Sequence, residues 1–254
     1  MTSSPPALSP LSGDTKRSYV RQMFTAIAPR YDLLNHVLSL NVDRGWRRRA
    51  VDRMLGARPD SSMGVYLDLC AGTLDLSLAL TKRTSFRGRV VGADFVIPML
   101  QLGRAKCPDG ANVSVVGADA LELPFPDARF DGCMVGFGIR NLADLDRGLD
   151  EMRRVLKPGG RLVILDFAIP DAQPVKSLYL FYFRHVLPHV GRLVSKHTTA
   201  YSYLPDSVSE FPSPERLAAR MTHAGLNGVG FERLTFGIAA LWWGDAAKSG
   251  DDHR

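Results

Sequence analysis

The stretch V-Y-L-D-L-C-A-G-T-L-D-L-S-L, residues 65–78, decides the fold of this chain. Residues 65–69 are apolar except for Asp68, a pattern typical of a buried strand at the centre of a parallel sheet. The small residues 71–73 permit a tight turn, and the leucines at every second position up to Leu80 predict the start of a packed helix. Strand, glycine-containing turn and helix predict a nucleotide or nucleoside site, although an ordinary α/β core contains the same arrangement.

The residues of this turn favour one kind of ligand over another. The turn lacks the strings G-x-G-x-x-G and G-x-x-x-x-G-K-[ST], which place backbone amides around phosphates, so a pyrophosphate is disfavoured. A nucleoside with a cationic sulfonium carries no phosphate, and an acidic residue such as Asp68 or Asp75 suits its positively charged amino-acid end. The expected ligand is therefore S-adenosylmethionine.

The composition is that of one globular domain. The 254 residues are 45% hydrophobic and 23% charged, values that argue against a disordered or fibrous protein. Cys70, Cys107 and Cys133 are an odd number without a C-x-x-C spacing, so we expect reduced thiols and no structural metal. No apolar run reaches membrane-spanning length, and the first ten residues lack the regions of a secretory signal. These features predict a cytoplasmic protein.

The charge of the chain is moderately basic. Lys and Arg number 32 against 26 acidic residues, a net charge of +6. This balance is compatible with nucleic acid, an anionic membrane or an acidic ligand, and does not choose among them. Four arginines, at positions 44, 47, 48 and 49, cluster around Trp46. The cluster predicts either a solvated helix face or peripheral contact with the inner face of a membrane.

Strand and helix patterns alternate from residue 65 onward. The alternation predicts an α/β fold with a doubly wound, seven-stranded, mostly parallel sheet of the Rossmann-like type. The predicted strands are residues 65–69, 89–94, 112–117, 130–137, 161–167, 228–234 and 238–243. The predicted helices include residues 43–55, 97–106, 144–156 and 214–223. We expect a single domain at 15–244, comprising a helical lid at 15–57 and a core at 64–244, between disordered tails at 1–14 and 245–254.

Acidic and small residues follow the ends of the predicted strands, where ligands bind in sheets of this kind. Asp94 lies twenty-two residues after Gly72 and could accept hydrogen bonds from both ribose hydroxyls. Asp119 could accept from the amino group of an adenine, and the backbone amide of Ala120 could donate to its ring. Both carboxylates could equally cap loops or turns, which leaves two interpretations of each.

The segment after Pro170 is rich in aromatic residues. It contains Tyr179 and Phe181 in a helical pattern that is too interrupted by charge to span a bilayer. The helix could pack in the core or form the wall of a pocket for an apolar substrate. Tyr201 and Tyr203 follow in a predicted loop.

Four stretches of the chain resemble the UbiE/MenG family of quinone-biosynthesis C-methyltransferases, and the resemblance runs from about residue 16 to 244. They are Y-D-L-L-N at 31–35 with Ser39 and Trp46, D-L-C-A-G-T-L-D at 68–75, F-G-I-R-N-L at 137–142 and R-V-L-K-P-G-G at 154–160. The second and fourth occur broadly among class I S-adenosylmethionine-dependent methyltransferases. The first and third are more specific to this family.

The resemblance implies the residues of the site. It places S-adenosylmethionine against a set of turn residues at the strand ends, namely Gly72, Thr73, Asp94, Asp119, Ala120 and Gly136. It places the ring of a prenylated quinol near Tyr31, Arg140, Asn141 and Tyr201. The implied reaction is C-methylation of that ring in menaquinone or ubiquinone biosynthesis. Arg140 would stabilise a phenolate and Asn141 would orient it, because a guanidinium is a poor base.

Several features of the implied enzyme stay open. A bound water, His36 or Asp32 could take the ring proton. The headgroup could be a benzoquinol or a naphthoquinol, and the chain could form a homodimer. A methyltransferase acting on oxygen or nitrogen of another small molecule is the alternative function. A nucleic-acid substrate is disfavoured, because F-G-I-R-N replaces the motif of adenine-amino enzymes and Cys107-Pro108 reverses the Pro-Cys order of cytosine-ring enzymes.

Five residues depart from the family pattern. Cys70 stands where Ala or Gly is common, Asp43 replaces His, and Asp166 and Ala168 replace Glu and Ser. The most serious departure is Leu74 in place of Gly, because its branched side chain could crowd the methionine part of the cofactor. A homologue that no longer binds the cofactor is therefore a further alternative.

Overall fold

The computed structural model describes residues 13–32, 41–56, 61–181 and 199–248. Within these ranges the strands are β1 (Val65–Leu69), β2 (Arg89–Asp94), β3 (Val113–Gly117), β4 (Phe130–Gly136), β5 (Leu156–Phe167), β6 (Leu226–Leu234) and β7 (Ala239–Ala246). They form one sheet in the order β3-β2-β1-β4-β5-β7-β6, in which β7 runs antiparallel to both of its neighbours. The predicted doubly wound, seven-stranded, mostly parallel sheet is confirmed.

Helices cover the sheet and precede it. Their described bounds are α1 (Gly13–Ile27), α2 (Val42–Leu55), α3 (Asp75–Thr81), α4 (Ile97–Lys106), α5 (Leu145–Val155), α6 (Val175–Phe181), α7 (Thr199–Glu210) and α8 (Pro214–His223). Short 3-10 turns lie at Ala28–Arg30 after α1, at Ser61–Met63 before β1, at Ile139–Asn141 after β4 and at Thr235–Gly237 between β6 and β7. Among the described residues, no helix is long and apolar enough to cross a membrane.

The central strand β1 is buried because its side chains are apolar on both faces. Tyr66, Leu67 and Leu69 are each at most 2% exposed, and β1 pairs in parallel with β2 and β4. The one polar interruption, Asp68, has a structural partner. Its carboxylate accepts from the backbone N–H of Ser77 at 2.9 Å and from the Ser77 hydroxyl at 2.6 Å. Asp68 therefore ties the end of β1 to the first turns of α3.

Side-chain caps set the beginning of two helices that the sequence predicts well. Asp144 accepts from the backbone N–H of Arg147 at 3.1 Å at the start of α5. Ser213 accepts from the backbone N–H of Arg216 at 3.4 Å at the start of α8, where Pro214 occupies the first helical position. These contacts satisfy backbone donors that a helix leaves unpaired, which is why such residues mark helix starts in sequence.

Several boundaries differ from the predictions, three of them with a visible structural context. β5 begins at Leu156, so K-P-G-G belongs to the strand, which pairs with Phe130 before a register shift. β7 continues to Ala246, because Arg161 holds Asp245 through two hydrogen bonds of 2.8 Å. α1 begins at Gly13, inside the predicted tail.

Tyr201 and Tyr203 lie in α7 and not in a loop, so that prediction is wrong. The helix contains Pro205, whose missing N–H argues against helix in a sequence-based reading. The aromatic segment begins as the predicted helix. In α6, Tyr179 is buried and packs with Val208 and Leu204 of α7. Residues 182–198 lie outside the described part of the chain.

Candidate functional site

A cavity opens at the carboxyl edge of the sheet, where four strands end. It encloses about 700 Å³ of space, including space open to solvent. Its wall combines strand-end residues with residues of α1 and its following turn. Lining residues include Arg17, Val20, Phe24, Tyr31, Leu69, Cys70, Gly72, Asp94, Phe95, Val96, Met99, Ala118, Asp119, Ala120, Leu121, Gly136, Phe137, Gly138, Asn141, Leu142 and Ala143.

Seven of the residues predicted for the site line this one cavity: Tyr31, Gly72, Asp94, Asp119, Ala120, Gly136 and Asn141. Thr73 and Arg140 lie behind its wall. Tyr201 is in α7, and its side chain lies outside the description, as do His36, Asn35 and Ser39. Sequence reasoning missed the α1 residues Arg17, Val20 and Phe24, because their pattern predicts only an amphipathic helix and not the surface that it covers.

The turn after β1 brings backbone close to the cavity. Gly72 has φ +51°, and a Cβ at this position would lie 3.4 Å from Met99 Cε and 3.9 Å from Tyr31 Cε1. The Gly72 N–H donates to Asp94 Oδ2 at 2.8 Å. A side chain here would therefore narrow the cavity and strain the backbone.

Asp94 caps two loops and also faces the cavity. Oδ2 of Asp94 accepts from the Gly72 N–H, and Oδ1 accepts from the backbone N–H of Val96 at 2.8 Å. Burial raises the pKa of the Asp94 carboxyl, and the hydrogen bonds from backbone N–H groups oppose that rise. Each carboxylate oxygen has a second lone pair, so the capping role leaves acceptor capacity for hydroxyl groups in the cavity. The two interpretations of Asp94 are compatible.

Asp119 lies two residues beyond β3 and meets the lid helix. One oxygen accepts from the backbone N–H of Leu121 at 2.9 Å, and the other is ion-paired with Arg17 of α1. The other arm of Arg17 contacts Asp14 at 2.9 Å. The Arg17–Asp119 pair closes one side of the cavity.

Thr73 fixes the lid and does not line the cavity. Its hydroxyl donates to an oxygen of Asp32 at 2.5 Å, and the other oxygen of Asp32 accepts from Lys106 at 2.7 Å. Lys106 also contacts Asp75 at 2.9 Å. Asp32 is thus bound both to the glycine turn and to the end of α4, which makes this carboxylate a structural anchor.

Arg140 is buried in an ion pair. Its side chain is 7% exposed, and Nη1 contacts Asp166 Oδ1 at 2.5 Å and the backbone oxygen of Phe137 at 2.7 Å. Burial raises the pKa of Asp166, which Arg140 opposes, so the two charges compensate one another. Asn141, next in the turn, lines the cavity and donates weakly to Phe137 O at 3.5 Å.

The departure at Leu74 does not obstruct the site. Leu74 is fully buried with φ +66°, and its side chain points into the space above Gly92 and Gly103, where an added Cβ would collide with it. It belongs to the core on the α3 side of the sheet and not to the cavity lining. The expectation that Leu74 could crowd the cofactor is wrong, because two glycines accommodate the isobutyl group elsewhere.

The departure at Cys70 is accommodated in a similar way. Cys70 lines the cavity, and a Cβ at Gly138 would collide with the Cβ of Cys70. Burial raises the pKa of its thiol, which stays protonated. Within the described residues, no group of three His, Cys, Asp or Glu side chains could hold a metal ion.

Sequence relatives cover almost the whole chain. A demethylmenaquinone methyltransferase of Deinococcus radiodurans is 48% identical over 91% of this chain and 93% of its own length. One of Thermus thermophilus is 50% identical over 88% of this chain and 99% of its own. A ubiquinone/menaquinone biosynthesis C-methyltransferase UbiE of Geobacter sulfurreducens is 45% identical over 91% and 89% of the two chains.

Solved structures share the fold at low sequence identity. A SAM-dependent methyltransferase of Thermotoga maritima has a TM-score of 0.62 at 18% identity, over 88% of this chain and 98% of its own. The [4+2]-cyclase SpnF has a TM-score of 0.66 at 15% identity, over 94% and 98%. Because one of these two is named as a cyclase, the fold alone does not identify a reaction.

The family model that matches the chain is more specific than these structures. It is the model of the ubiE/COQ5 methyltransferase family, and it matches residues 12–246. The chain therefore belongs to the ubiE/COQ5 methyltransferase family, which makes it a methyltransferase that uses S-adenosylmethionine.

Proposed function

We propose that this protein transfers a methyl group from S-adenosylmethionine to a ring carbon of a demethylated, prenylated naphthoquinol. The observation that carries the proposal is the convergence of seven predicted residues on one cavity at the carboxyl edge of the sheet. The relatives at 48% and 50% identity are named demethylmenaquinone methyltransferases, which favours the naphthoquinol headgroup over the benzoquinol.

The residues of the cavity fit the cofactor. Asp94 retains acceptor capacity for the ribose hydroxyls, and Asp119 with the Ala120 amide can bind the adenine edge. The small residues at Gly72 and Gly136 leave room for the methionine part. When bound there, S-adenosylmethionine supplies a methyl group already activated by a sulfonium. What the protein adds is alignment of the acceptor and exclusion of water.

We assign ring activation to the F-G-I-R-N turn. The acceptor carbon is nucleophilic when an adjacent hydroxyl is ionised, and Arg140 can donate a hydrogen bond to that oxygen. Because Asp166 compensates its charge, Arg140 acts mainly as an oriented donor. Arg140→Ala is expected to lower turnover of a demethylquinol by 100-fold or more, on the order of the loss of an oxyanion donor. Unchanged turnover in a folded variant would contradict the assignment.

Asp32 is the least suitable of the three proposed proton acceptors. Both of its oxygens are engaged, one by Thr73 and one by Lys106. A bound water and His36 remain as the acceptors of the ring proton.

We also propose peripheral contact with a membrane at the carboxyl edge. Phe236 is 81% exposed in the turn between β6 and β7, where Thr235, Phe236 and Gly237 all have positive φ. Trp46 donates to the Thr235 hydroxyl at 2.8 Å, so the basic start of α2 adjoins this turn. Binding to anionic vesicles that is lost in Phe236→Ser would support the contact, and equal binding would contradict it.

Formation of a homodimer is a separate prediction, which sedimentation of the protein in solution tests.

The decisive experiment compares the two classes of acceptor. The protein is incubated with labelled S-adenosylmethionine and with demethylated naphthoquinol or benzoquinol, both kept reduced, and the products are read by mass. We expect one added methyl group on carbon of the naphthoquinol. Methylation of the benzoquinol alone would contradict the assignment of a naphthoquinol headgroup. Methylation of neither acceptor would contradict the proposed function.

A further inference from the structure

Three buried polar atoms, two in the F-G-I-R-N turn and one in the helix packed against it, make no hydrogen bond to any described residue. They are Arg140 Nε, Asn141 Oδ1 and the hydroxyl oxygen of Tyr203. Nε–H can only donate, Oδ1 can only accept, and a phenol hydroxyl can do both. Leaving such groups unpaired costs stability, so their occurrence in this turn and in the helix packed against it indicates a site for a polar ligand.

Tyr203 connects this cluster to the lid and to the cofactor cavity. It lies in α7, which packs against α1 and against the turn at Ile139–Asn141. The Tyr203 ring lies 5.6 Å from the ring of Tyr19, and both pack with Met23 and Ile27 of α1. Tyr31, which lines the cofactor cavity, packs against the same group. Tyr203 thus lies between the lid helix α1 and the turn that follows β4.

The titratable groups that act on Tyr203 lie on several elements. They are Tyr19 of α1, Arg140 of the turn, Asp166 of β5 and Glu210 of its own helix. Burial is the main influence and raises the pKa of Tyr203 to about 12. The hydroxyl therefore keeps its proton near neutral pH and acts as a donor, which excludes it as the base for the ring proton.

We propose that the Tyr203 hydroxyl and Arg140 Nε–H donate together to the ionising oxygen of the quinol ring, while Asn141 Oδ1 accepts from a quinol hydroxyl. The proposal deepens the proposed function and depends on it. A second donor from α7 adds to the stabilisation of the phenolate that Arg140 supplies. Because Tyr203 is packed on α1, the phenolate site is complete only when the lid is closed over the cavity.

Tyr203→Phe tests this role against a structural one. The substitution removes one oxygen that no described residue binds, so the melting temperature is expected to stay equal or rise. Affinity for S-adenosylhomocysteine, measured by calorimetry, is also expected to stay the same. With 2-geranyl-1,4-naphthoquinol as acceptor, kcat near neutral pH is expected to fall about 10- to 100-fold, the effect of one hydrogen bond to a charged group. Tyr19→Phe is the matched control, because it removes a hydroxyl from the same aromatic pair.

The pH profile separates loss of the donor from general damage. The reactive phenolate forms as pH rises, so losing a donor raises the pKa of the bound quinol and moves the rising limb of the profile to higher pH. The variant is expected to approach the wild-type rate at alkaline pH. Equal rates at neutral pH, or a loss of the same factor at every pH, would overturn the role of Tyr203. If the wild-type enzyme transfers no methyl group to the quinol, the proposed function fails.

Discussion

Several carboxylates near the strand ends accept hydrogen bonds from backbone N–H groups. Asp68 binds the start of α3, Asp94 binds two loop amides, and Asp119 binds the amide of Leu121. In each case the carboxylate satisfies N–H groups that a turn or helix start would leave unpaired. The same residues that build the strand ends are therefore held rigidly for binding, which reduces the entropy lost when a ligand is bound.

Replacing Asp94 is expected to weaken cofactor binding. Asp94→Ala removes the acceptor proposed for the ribose and also frees the amides of Gly72 and Val96, so the glycine turn loses its support. We expect affinity for S-adenosylhomocysteine to fall about 10- to 100-fold, measured by calorimetry. Asp94→Asn keeps one acceptor oxygen and is expected to lose less. Equal affinity of the alanine variant and the wild type would remove Asp94 from the binding site.

The buried carboxyl of Asp68 is expected to make the stability of the protein depend on pH. Burial raises its pKa to about 7, above the value of about 4 in an unfolded chain. The folded state holds the proton more tightly, so the contribution of Asp68 to the free energy of unfolding decreases as pH rises from about 4 to about 7 and is constant above that. Asp68→Asn cannot titrate and keeps an oxygen for Ser77. Its stability relative to the wild type, measured by urea unfolding, is expected to be greater at pH 8 than at pH 5, and a constant difference would contradict this assignment.

At the scale of elements, α1 is attached to the sheet edge at two places. Lys16 donates to the backbone oxygens of Arg140 and Leu142 at 3.1 and 2.8 Å, and Arg17 is ion-paired with Asp119. Since these partners follow β4 and β3, one turn of α1 bridges the predicted acceptor and adenine ends of the site.

Arg17→Ala is expected to speed exchange of the cofactor. The pair is partly exposed, with 46% of the Arg17 side chain accessible, so its contribution is modest and screened by salt. We expect the dissociation rate of S-adenosylhomocysteine in stopped flow to rise about 2- to 5-fold at low ionic strength. Arg21→Ala, one helical turn further along α1, is the control and is expected to have no effect. Identical rates for Arg17→Ala and the wild type would show that this pair does not restrain the lid.

At the scale of the whole molecule, the cavity lies between the sheet edge and α1, so a ligand there links both. A ligand that binds only the folded state raises the free energy of unfolding by about 2.7 kcal/mol when its concentration is 100 times Kd. For a chain of this size we expect S-adenosylhomocysteine at that concentration to raise Tm by roughly 5–10 °C. Adenosine at the same concentration is the control and is expected to give a smaller shift. A Tm that does not change with saturating S-adenosylhomocysteine would contradict the assignment of the cavity.

The sequence determined the sheet and the position of its ligand site. Alternating strand and helix patterns predicted seven strands, and residues such as Gly72, Asp94 and Ala120 could be placed at strand ends because parallel strands end at one edge. Local patterns are sufficient for such predictions, since they depend on side-chain periodicity and turn chemistry within a few residues.

Only the tertiary structure decided which side chains meet across the fold. Leu74 could crowd the cofactor by its position in the glycine turn, but its side chain packs against Gly92 and Gly103, which lie outside that turn. Arg17 reaches Asp119 and Arg140 reaches Asp166 across separations of 102 and 26 residues. Such contacts depend on how helices and strands pack in three dimensions, and no periodicity within one segment records them.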